Sequence, residues 1–286
     1  MFYIMQLIKG REIADNILVD IKSKIAEMET KPTLAVFLIG EDEASKIYVG
    51  LKEKAARDIG MNCVLFKYDS DASEAEILNK IEEANKSMDI SGIIVQLPLP
   101  EGLDKNKITN AIIPQKDVDG FHSENQRLFL DDKECVYPVF PKAIMKMVEA
   151  AVENNSLENI KKASVVCMSD DFGLIMQEAF RKVQIEASYF FCDDIDKKEN
   201  ANILKESDVI ITACGKINLI NNEMVKEGVV IIDGGISKVN GKVVGDANMQ
   251  SFEKSEIPAF ISPVPSGVGP VTVACLLENT YLASDK

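Results

Sequence analysis

Imidazole and indole are almost missing from these 286 residues: there is one histidine, His122, and no tryptophan. A site built on two or three histidines is therefore excluded, and with it zinc hydrolysis of that kind. Any serine–histidine or cysteine–histidine couple would run through His122 alone. That residue has no chemical partner nearby in sequence and reads as a loop or core histidine. No apolar stretch approaches the roughly 20 residues of a membrane-spanning helix. The apolar start, MFYIMQLIKGREIADN, has no basic segment before it and no small-residue cleavage site, so it does not read as a secretory signal. Close cysteine spacing is also missing. The six cysteines (63, 135, 167, 192, 214 and 275) stand at least 22 residues apart, with no CxxC pair. Several lie in apolar, strand-like runs where a free thiol behaves as a small hydrophobe, which favours a reducing cytoplasm. Basic surplus is lacking too: 32 basic against 46 acidic residues give a net charge of −14. No block of 60 residues is net basic, so a nucleic-acid partner is not expected.

What is present is an alternation of apolar strands and amphipathic helices. Ile13, Ile17, Ile21 and Ile25 recur at helical spacing, and Leu34–Ile39 reads as a buried strand. A helical pattern over Ala44–Ile59 ends at Gly60, Asn62–Tyr68 is strand-like, and Ser73–Glu76 is a capping box. Gly92–Gln96 is a second buried strand, stopped by Pro98 and Pro100. After a stretch of short elements, Pro141 opens a helix to about Glu153. A second series follows: strands Ala163–Cys167, Ala187–Cys192, Asp208–Thr212 and Val229–Ile232, with helices at Phe172–Val183, near Asn200–Glu206 and near Asn222–Lys226. Pro270 begins a last helix. Wholly apolar strands separated by helices predict an α/β protein with mostly parallel sheets. Two such series predict two domains with a cleft between them, the second of the doubly wound type that binds dinucleotides.

Five constellations could carry chemistry. Tyr48 and Lys52 share one helix face at i, i+4, where the ring can stack on a flat substrate and a desolvated lysine can move protons; ordinary helix surface is the alternative. The surrounding Ser45–Asp58 stretch holds Lys46, Lys52, Lys54 and Arg57 against Glu53 and Asp58, a local surplus of two positive charges that reads as a solvated face. Gln96 ends its strand before Leu97-Pro98-Leu99-Pro100, where α/β proteins place ligand contacts, or simply a rigid turn. Asp117 and Asp119 flank Val118; two carboxylates with no further ligands do not make a magnesium or calcium cage, and no metal site is expected. A single carboxylate there can accept two hydrogen bonds from an amino-pyrimidine ring. Ser262–Pro270 holds three prolines and two glycines, a fixed path that lets backbone approach a ligand or serves as a tight connection. The turn after Ala163–Cys167 should be glycine-rich if it cradles a pyrophosphate, yet only Gly173 remains.

Together these pieces resemble the bifunctional methylenetetrahydrofolate dehydrogenase/methenyltetrahydrofolate cyclohydrolase (FolD-type) family. Ser45–Lys54 is similar to its SxxYVxxKxK helix, Gly92–Pro100 to its GilVQLPLP strand, and Lys116–Gly120 to its KDVDG turn. Gly245-Asp246 is similar to its GDV element and Ser262–Thr272 to its TPVPGGVGPMT loop. The resemblance implies a folate-binding α/β domain over 1–138 with 264–286, and a Rossmann-like NAD(P)-binding domain over 139–263. It implies oxidation of 5,10-methylenetetrahydrofolate and hydrolysis of the methenyl product to 10-formyltetrahydrofolate, with NADP or NAD as cofactor, in a homodimer. Lys52 would transfer protons, Gln96 would tune it, Tyr48 would stack on the folate, and Asp119 would hold the pterin. Leu99, Pro265, Gly267 and Pro270 would line the same pocket. Cys167, Met168, Ser169, Gly173, Gly215 and Ile236 would contact the cofactor. The local positive surplus then has a second reading, attraction of an anionic polyglutamylated folate.

Departures gather on the cofactor side. The family's GRSxxVGxP turn reads Cys167–Ile175 here, with Cys for the first Gly, Met168 for the Arg and Ile175 for the Pro. The PCTPxG segment reads Pro138–Ala143, the next strand ends in Cys192–Asp196 where a polar, often His-Ser, segment is usual, and DVGIN reads Asp233–Ser237. Asp170 and Asp171 stand where a pyrophosphate should lie; a carboxylate about 5 Å from a phosphate is unfavourable by roughly 3 kcal/mol before screening. An acid at the end of the second strand favours a free ribose 2′-hydroxyl. Weak NADP binding, NAD use or loss of the dehydrogenase step follow from one reading. In the other, Asp170 and Asp171 face solvent at a helix start and backbone donors still serve the phosphates. A cyclohydrolase without dehydrogenase activity and a non-catalytic folate-binding subunit are the alternatives, the second disfavoured because mere binding does not require the lysine.

Overall fold

The computed structural model describes residues 5–155 and 160–285; residues 1–4 of the apolar start lie outside the described residues. Eleven strands are described: β1 Met5–Leu7, β2 Thr33–Ile39, β3 Asn62–Tyr68, β4 Gly92–Val95, β5 Lys162–Cys167, β6 Glu186–Phe191, β7 Val209–Thr212, β8 Val229–Asp233, β9 Ser237–Val239, β10 Lys242–Val244 and β11 Ala259–Ile261. The α-helices described are α1 Gly10–Glu27, α2 Glu43–Asp58, α3 Glu74–Lys86, α4 Lys105–Thr109, α5 Ser123–Leu130, α6 Val139–Asn155, α7 Asp170–Lys182, α8 Lys198–Glu206, α9 Met249–Glu253 and α10 Val268–Ser284. None of the described helices is long and apolar enough to cross a membrane.

The chain divides into two compact units. One comprises residues 14–140 with 273–286. Its sheet has the order β3-β2-β4, all parallel, and every residue of the central strand β2 is buried. Strand β2 can be apolar throughout because both of its faces are covered. On one face Phe37 meets Phe66 at 4.9 Å between ring centroids, within a cluster that includes Ile77 and Ile81 of α3 and Ile93 of β4. Each such fully buried side chain contributes about 1.5–3 kcal/mol. Local signals fix the helix starts: Asp42 accepts from the Ser45 amide at 2.7 Å, and Ser73 accepts from the Glu76 amide at 3.3 Å. Lys116 donates to the Ala84, Asn85 and Ser87 carbonyls, closing the end of α3. In doing so it brings the 116–118 segment alongside β4, where the Ile93 amide donates to the Lys116 carbonyl at 2.7 Å.

The other unit comprises residues 5–13 and 141–272 as described. Its six strands run in the order β1-β11-β8-β7-β5-β6, all parallel. The chain winds outward from β5 to β6, then returns past β5 to β7, so the direction reverses between β5 and β7. Ligands of doubly wound sheets bind beyond the strand ends at such a reversal. The α/β class, the parallel sheets and the doubly wound second series are as the sequence predicts.

Three details differ. The motifs assign 1–138 with 264–286 to the first domain and 139–263 to the second, but residues 5–13 and 264–272 pack with the second unit. The cause is β1, which pairs with β11 in the register Met5↔Ala259, and the Gly267 carbonyl, which presses on Gly10. The helix expected near Asn222–Lys226 is a single 3₁₀ turn, Asn222–Met224, because the Asn221 side chain takes the Glu223 amide and the chain leaves extended at Val225. The last helix starts at Val268, with Pro270 inside its first turn.

Candidate active site

In the first unit, α2 and the end of β4 bring Lys52 and Gln96 together. Lys52 Nζ donates to Gln96 Oε1 at 2.9 Å. Gln96 cannot turn freely: its Nε2 donates to the Leu97 carbonyl at 2.7 Å, and its amide continues the sheet by donating to the Phe37 carbonyl at 2.8 Å. Ser45 Oγ, one helical turn before Tyr48, also reaches the Leu97 carbonyl, so helix and strand end are tied at two places. Burial pulls the Lys52 ammonium below its usual 10.5, and the Asp119 carboxylate pulls it part of the way back. A lysine in this state gives up its proton more readily than one in water.

The two aspartates of the 117–119 turn have opposite environments. Asp117 is buried and saturated: Oδ1 accepts from the Gly120 and Phe121 amides at 3.1 and 3.3 Å, and Oδ2 from the His122 amide and Asn125 Nδ2 at 2.8 and 2.9 Å. It shapes the turn. Asp119 keeps partial exposure, and among the described residues none donates a hydrogen bond to its carboxyl. Burial pushes that carboxyl up to about 6, opposed by Lys52 and assisted by Asp117. A desolvated carboxylate with unused lone pairs is suited to a ligand that brings its own donors. His122 is the N-cap of α5, its Nδ1 accepting from the Glu124 amide at 3.0 Å.

Tyr48 is half-buried on the Lys52 face of α2. Leu99 packs partly against the core cluster under β2 and β4. The positive surplus of this helix is partly neutralised: Lys46 pairs with Glu41 and Glu43, and Lys54 with Asp58 at 2.7 Å. The reading of this helix as a field that attracts an anionic folate is weakened accordingly. Pro265 and Gly267 lie in the second unit on a loop with a cis Val264–Pro265 bond and Ser266 at φ +80°, and Pro270 follows in the first turn of α10.

In the second unit, the strand-to-helix turn after β5 contains Cys167, Met168, Ser169 and Gly173. Cys167 is buried and Met168 is exposed. Ser169 caps α7, accepting from the Phe172 amide at 3.4 Å. Gly173 has no room for a Cβ against the Tyr189 ring on β6, which makes it the close-packing glycine of the helix–strand contact. Asp170 and Asp171 are exposed in the first turn, and the Tyr189 hydroxyl donates to Asp170 Oδ1 at 3.0 Å. Their placement matches the solvent-facing reading, with Ser169 rather than either aspartate as the cap.

Gly215 and Ile236 also come together. Gly215 has φ +65°, a Cβ there would lie 3.3 Å from the Ile236 carbonyl, and Ser237 Oγ donates to the Gly215 carbonyl at 2.8 Å. The loop holding Gly215 hangs on Asp246, which is fully buried. Asp246 accepts from Thr212 Oγ1 at 2.7 Å, the Cys214 amide at 2.8 Å and the Lys216 amide at 2.7 Å. Asp233 in turn accepts from the Gly235 and Ala247 amides at 2.9 and 2.8 Å, and burial beside Asp246 pushes it up to about 6. The sequence marks Asp246 only as part of a motif and gives no signal for Lys216 or Tyr189, whose partners lie 19 to 30 residues away. A capped helix start beside a braced loop with a left-handed glycine, at a sheet's reversal point, fits a dinucleotide's phosphates by its donor set.

Comparison with known proteins bears on both halves. Residues 8–119 match the family description "Tetrahydrofolate dehydrogenase/cyclohydrolase, catalytic domain", and residues 138–286 match its "NAD(P)-binding domain". A "Bifunctional protein FolD" from Ruthia magnifica is 38% identical over 280 residues, covering 98% of both chains. The crystal structure of the bifunctional FolD enzyme from Campylobacter jejuni superposes with a TM-score of 0.89 at 32% identity, covering 98% of this chain and 99% of that one. The Trypanosoma brucei enzyme, solved with NADP cofactor and an inhibitor, gives 0.86 at 27% identity over 98% of this chain and 97% of that one. The chain belongs to the tetrahydrofolate dehydrogenase/cyclohydrolase family and is an enzyme with that family's dehydrogenase and cyclohydrolase activities.

Proposed function

We propose that one lysine, Lys52, serves both reactions, with Gln96 fixing it and Asp119 anchoring the folate. The observation that carries this is the Lys52–Gln96 hydrogen bond at 2.9 Å beside a desolvated Asp119. The Asp119 carboxylate accepts hydrogen bonds from the amino-pyrimidine edge of the pterin, and Tyr48 lies under the flat ring system. Leu99 adds apolar contact. When bound, NADP or NAD supplies the hydride acceptor for oxidation of the methylene group. In hydrolysis, Nζ takes a proton from the water as it adds to the methenyl carbon. The resulting carbinol O–H then loses its proton as the formyl C=O forms and the N5–carbon bond breaks with its electron pair to N5; of the two protons that leave the water, one ends on N5 and one is released. A lysine whose ammonium is weakened by burial fits both duties: it opposes the cationic methenyl intermediate less than an ordinary lysine, and it passes a proton on more readily.

NADP is supported by the NAD(P)-binding family match and by the NADP complex of the Trypanosoma brucei relative. Cys167, Met168, Ser169, Gly173, Gly215 and Ile236 surround the proposed dinucleotide. We also infer a homodimer, carried over from the family, and a cytoplasmic location, supported by free cysteines used as core side chains. Two absorbance assays test the function. Loss of methenyltetrahydrofolate without added dinucleotide reports hydrolysis, and nicotinamide reduction with methylenetetrahydrofolate reports oxidation. Absence of hydrolysis would overturn the role of Lys52.

A further inference from the structure

We infer that Lys216 is the group that receives an adenosine 2′-phosphate in this chain, and that Asp193 competes with the phosphate for it. The inference rests on the dinucleotide reading of the second unit. In doubly wound folds, the end of the second strand faces the adenosine ribose; an acid there suits a free 2′-hydroxyl, and a cation suits a 2′-phosphate. Here the second strand of the winding is β6. Just past its end, Asp193 forms an ion pair with Lys216 Nζ, and the aspartate side chain is 81% exposed against 39% for the lysine. Both kinds of recognition group are therefore present and bound to each other.

Lys216 is also well placed. Its amide is held by buried Asp246 at 2.7 Å, and it follows the left-handed Gly215, so the stem leaves from a braced loop. Its side chain also contacts Cys192. The Met168 sulfur lies 3.1 Å from the Cys192 sulfur, so the side chain at position 168 points to the same spot. That position carries an arginine in the motif this turn resembles, and methionine brings no charge. The cation missing at 168 is thus supplied from 216. Of the two lysines that follow this strand end, Lys197 pairs with Asp194 at 2.9 Å and Lys198 opens α8, both beyond the 3₁₀ turn Cys192–Asp194.

A 2′-phosphate carries nearly two negative charges and must draw Lys216 away from Asp193 while standing next to that carboxylate. NAD leaves the pair intact. The chain therefore discriminates weakly between the two dinucleotides. Titration of NADPH and NADH fluorescence tests this without turnover, and the lack of tryptophan leaves the dinucleotide as the emitter. Circular dichroism melting checks the fold of each variant. The wild-type chain should bind the two within about tenfold of each other. Asp193→Ser should tighten NADPH about tenfold, the size of one screened charge contact, without tightening NADH. Lys216→Met should weaken NADPH alone, and Lys197→Met should change neither. An unchanged NADPH-to-NADH ratio in both Asp193→Ser and Lys216→Met would overturn the inference while leaving the cofactor site standing. A wild-type chain that hydrolyses methenyltetrahydrofolate but binds neither dinucleotide would overturn the cofactor reading, and this inference with it.

Discussion

Asp119 carries a stability penalty that its neighbour Asp117 escapes. Asp117 spends its lone pairs on four protein donors, whereas Asp119 is desolvated with none donated to it by the described residues. Its folded pKa of about 6 lies above the ordinary 3.8, so its ionisation opposes folding. The penalty is absent below about pH 4, grows as pH rises to about 6, and is constant above. Asp119→Asn should therefore raise stability at pH 7 by roughly 1–3 kcal/mol while abolishing productive folate binding. Denaturant titration at pH 7 and pH 4 checks it; a variant less stable than the parent at pH 7 contradicts it. In the parent, KM for the folate should climb as pH drops through about 6, because the protonated carboxyl loses one acceptor position. A flat KM from pH 5 to 8 would remove Asp119 from the anchoring role. Ser266 makes a simpler residue-scale case. It holds φ +80°, where side chains are strained, in a loop whose family pattern has glycine. Ser266→Gly should stabilise by about 0.5–1 kcal/mol in the same titration.

At the scale of elements, the sequence is most legible where one segment sets its own structure. Strand β2 announces itself through an unbroken apolar run, and α2 and α3 through Asp42 and Ser73 at their starts. Elements that exist only through distant partners are silent. Strand β1 has three residues and pairs with β11, more than 250 positions away. The helix expected at 222–226 yields to a side-chain turn of three residues. The proposed sites divide in the same way. Tyr48, Lys52, Gln96 and Asp119 come in dense local motifs, whereas the Asp193–Lys216 pair joins two loops across 23 positions. Asp246 is the clearest long-range device, since one carboxylate braces three donors of the 212–216 loop. Asp246→Asn would set an amide donor against a backbone donor. A loss of about 1–3 kcal/mol in stability is expected, with weaker NADPH binding and an unchanged rate of dinucleotide-free hydrolysis. Equal loss of hydrolysis would mean that Asp246 supports more than this loop.

At the scale of the whole molecule, the two α/β units and their parallel sheets follow from the alternation of apolar runs and amphipathic helices. The boundaries do not, because α1, α6 and α10 each run through a boundary without any break in pattern. Charge tells a similar story. The net −14 says little, and what matters is where single charges are partnered: Lys46 and Lys54 are tied up at the surface, while Lys52 is left to Gln96. The central claim is that this one amine serves two reactions, and Lys52→Met tests it most directly. The variant should stay folded, retain folate binding, show no detectable nicotinamide reduction, and hydrolyse methenyltetrahydrofolate at least about 100-fold more slowly, the usual loss for a proton-transfer group. Hydrolysis at the parent rate in a folded Lys52→Met chain would contradict the account.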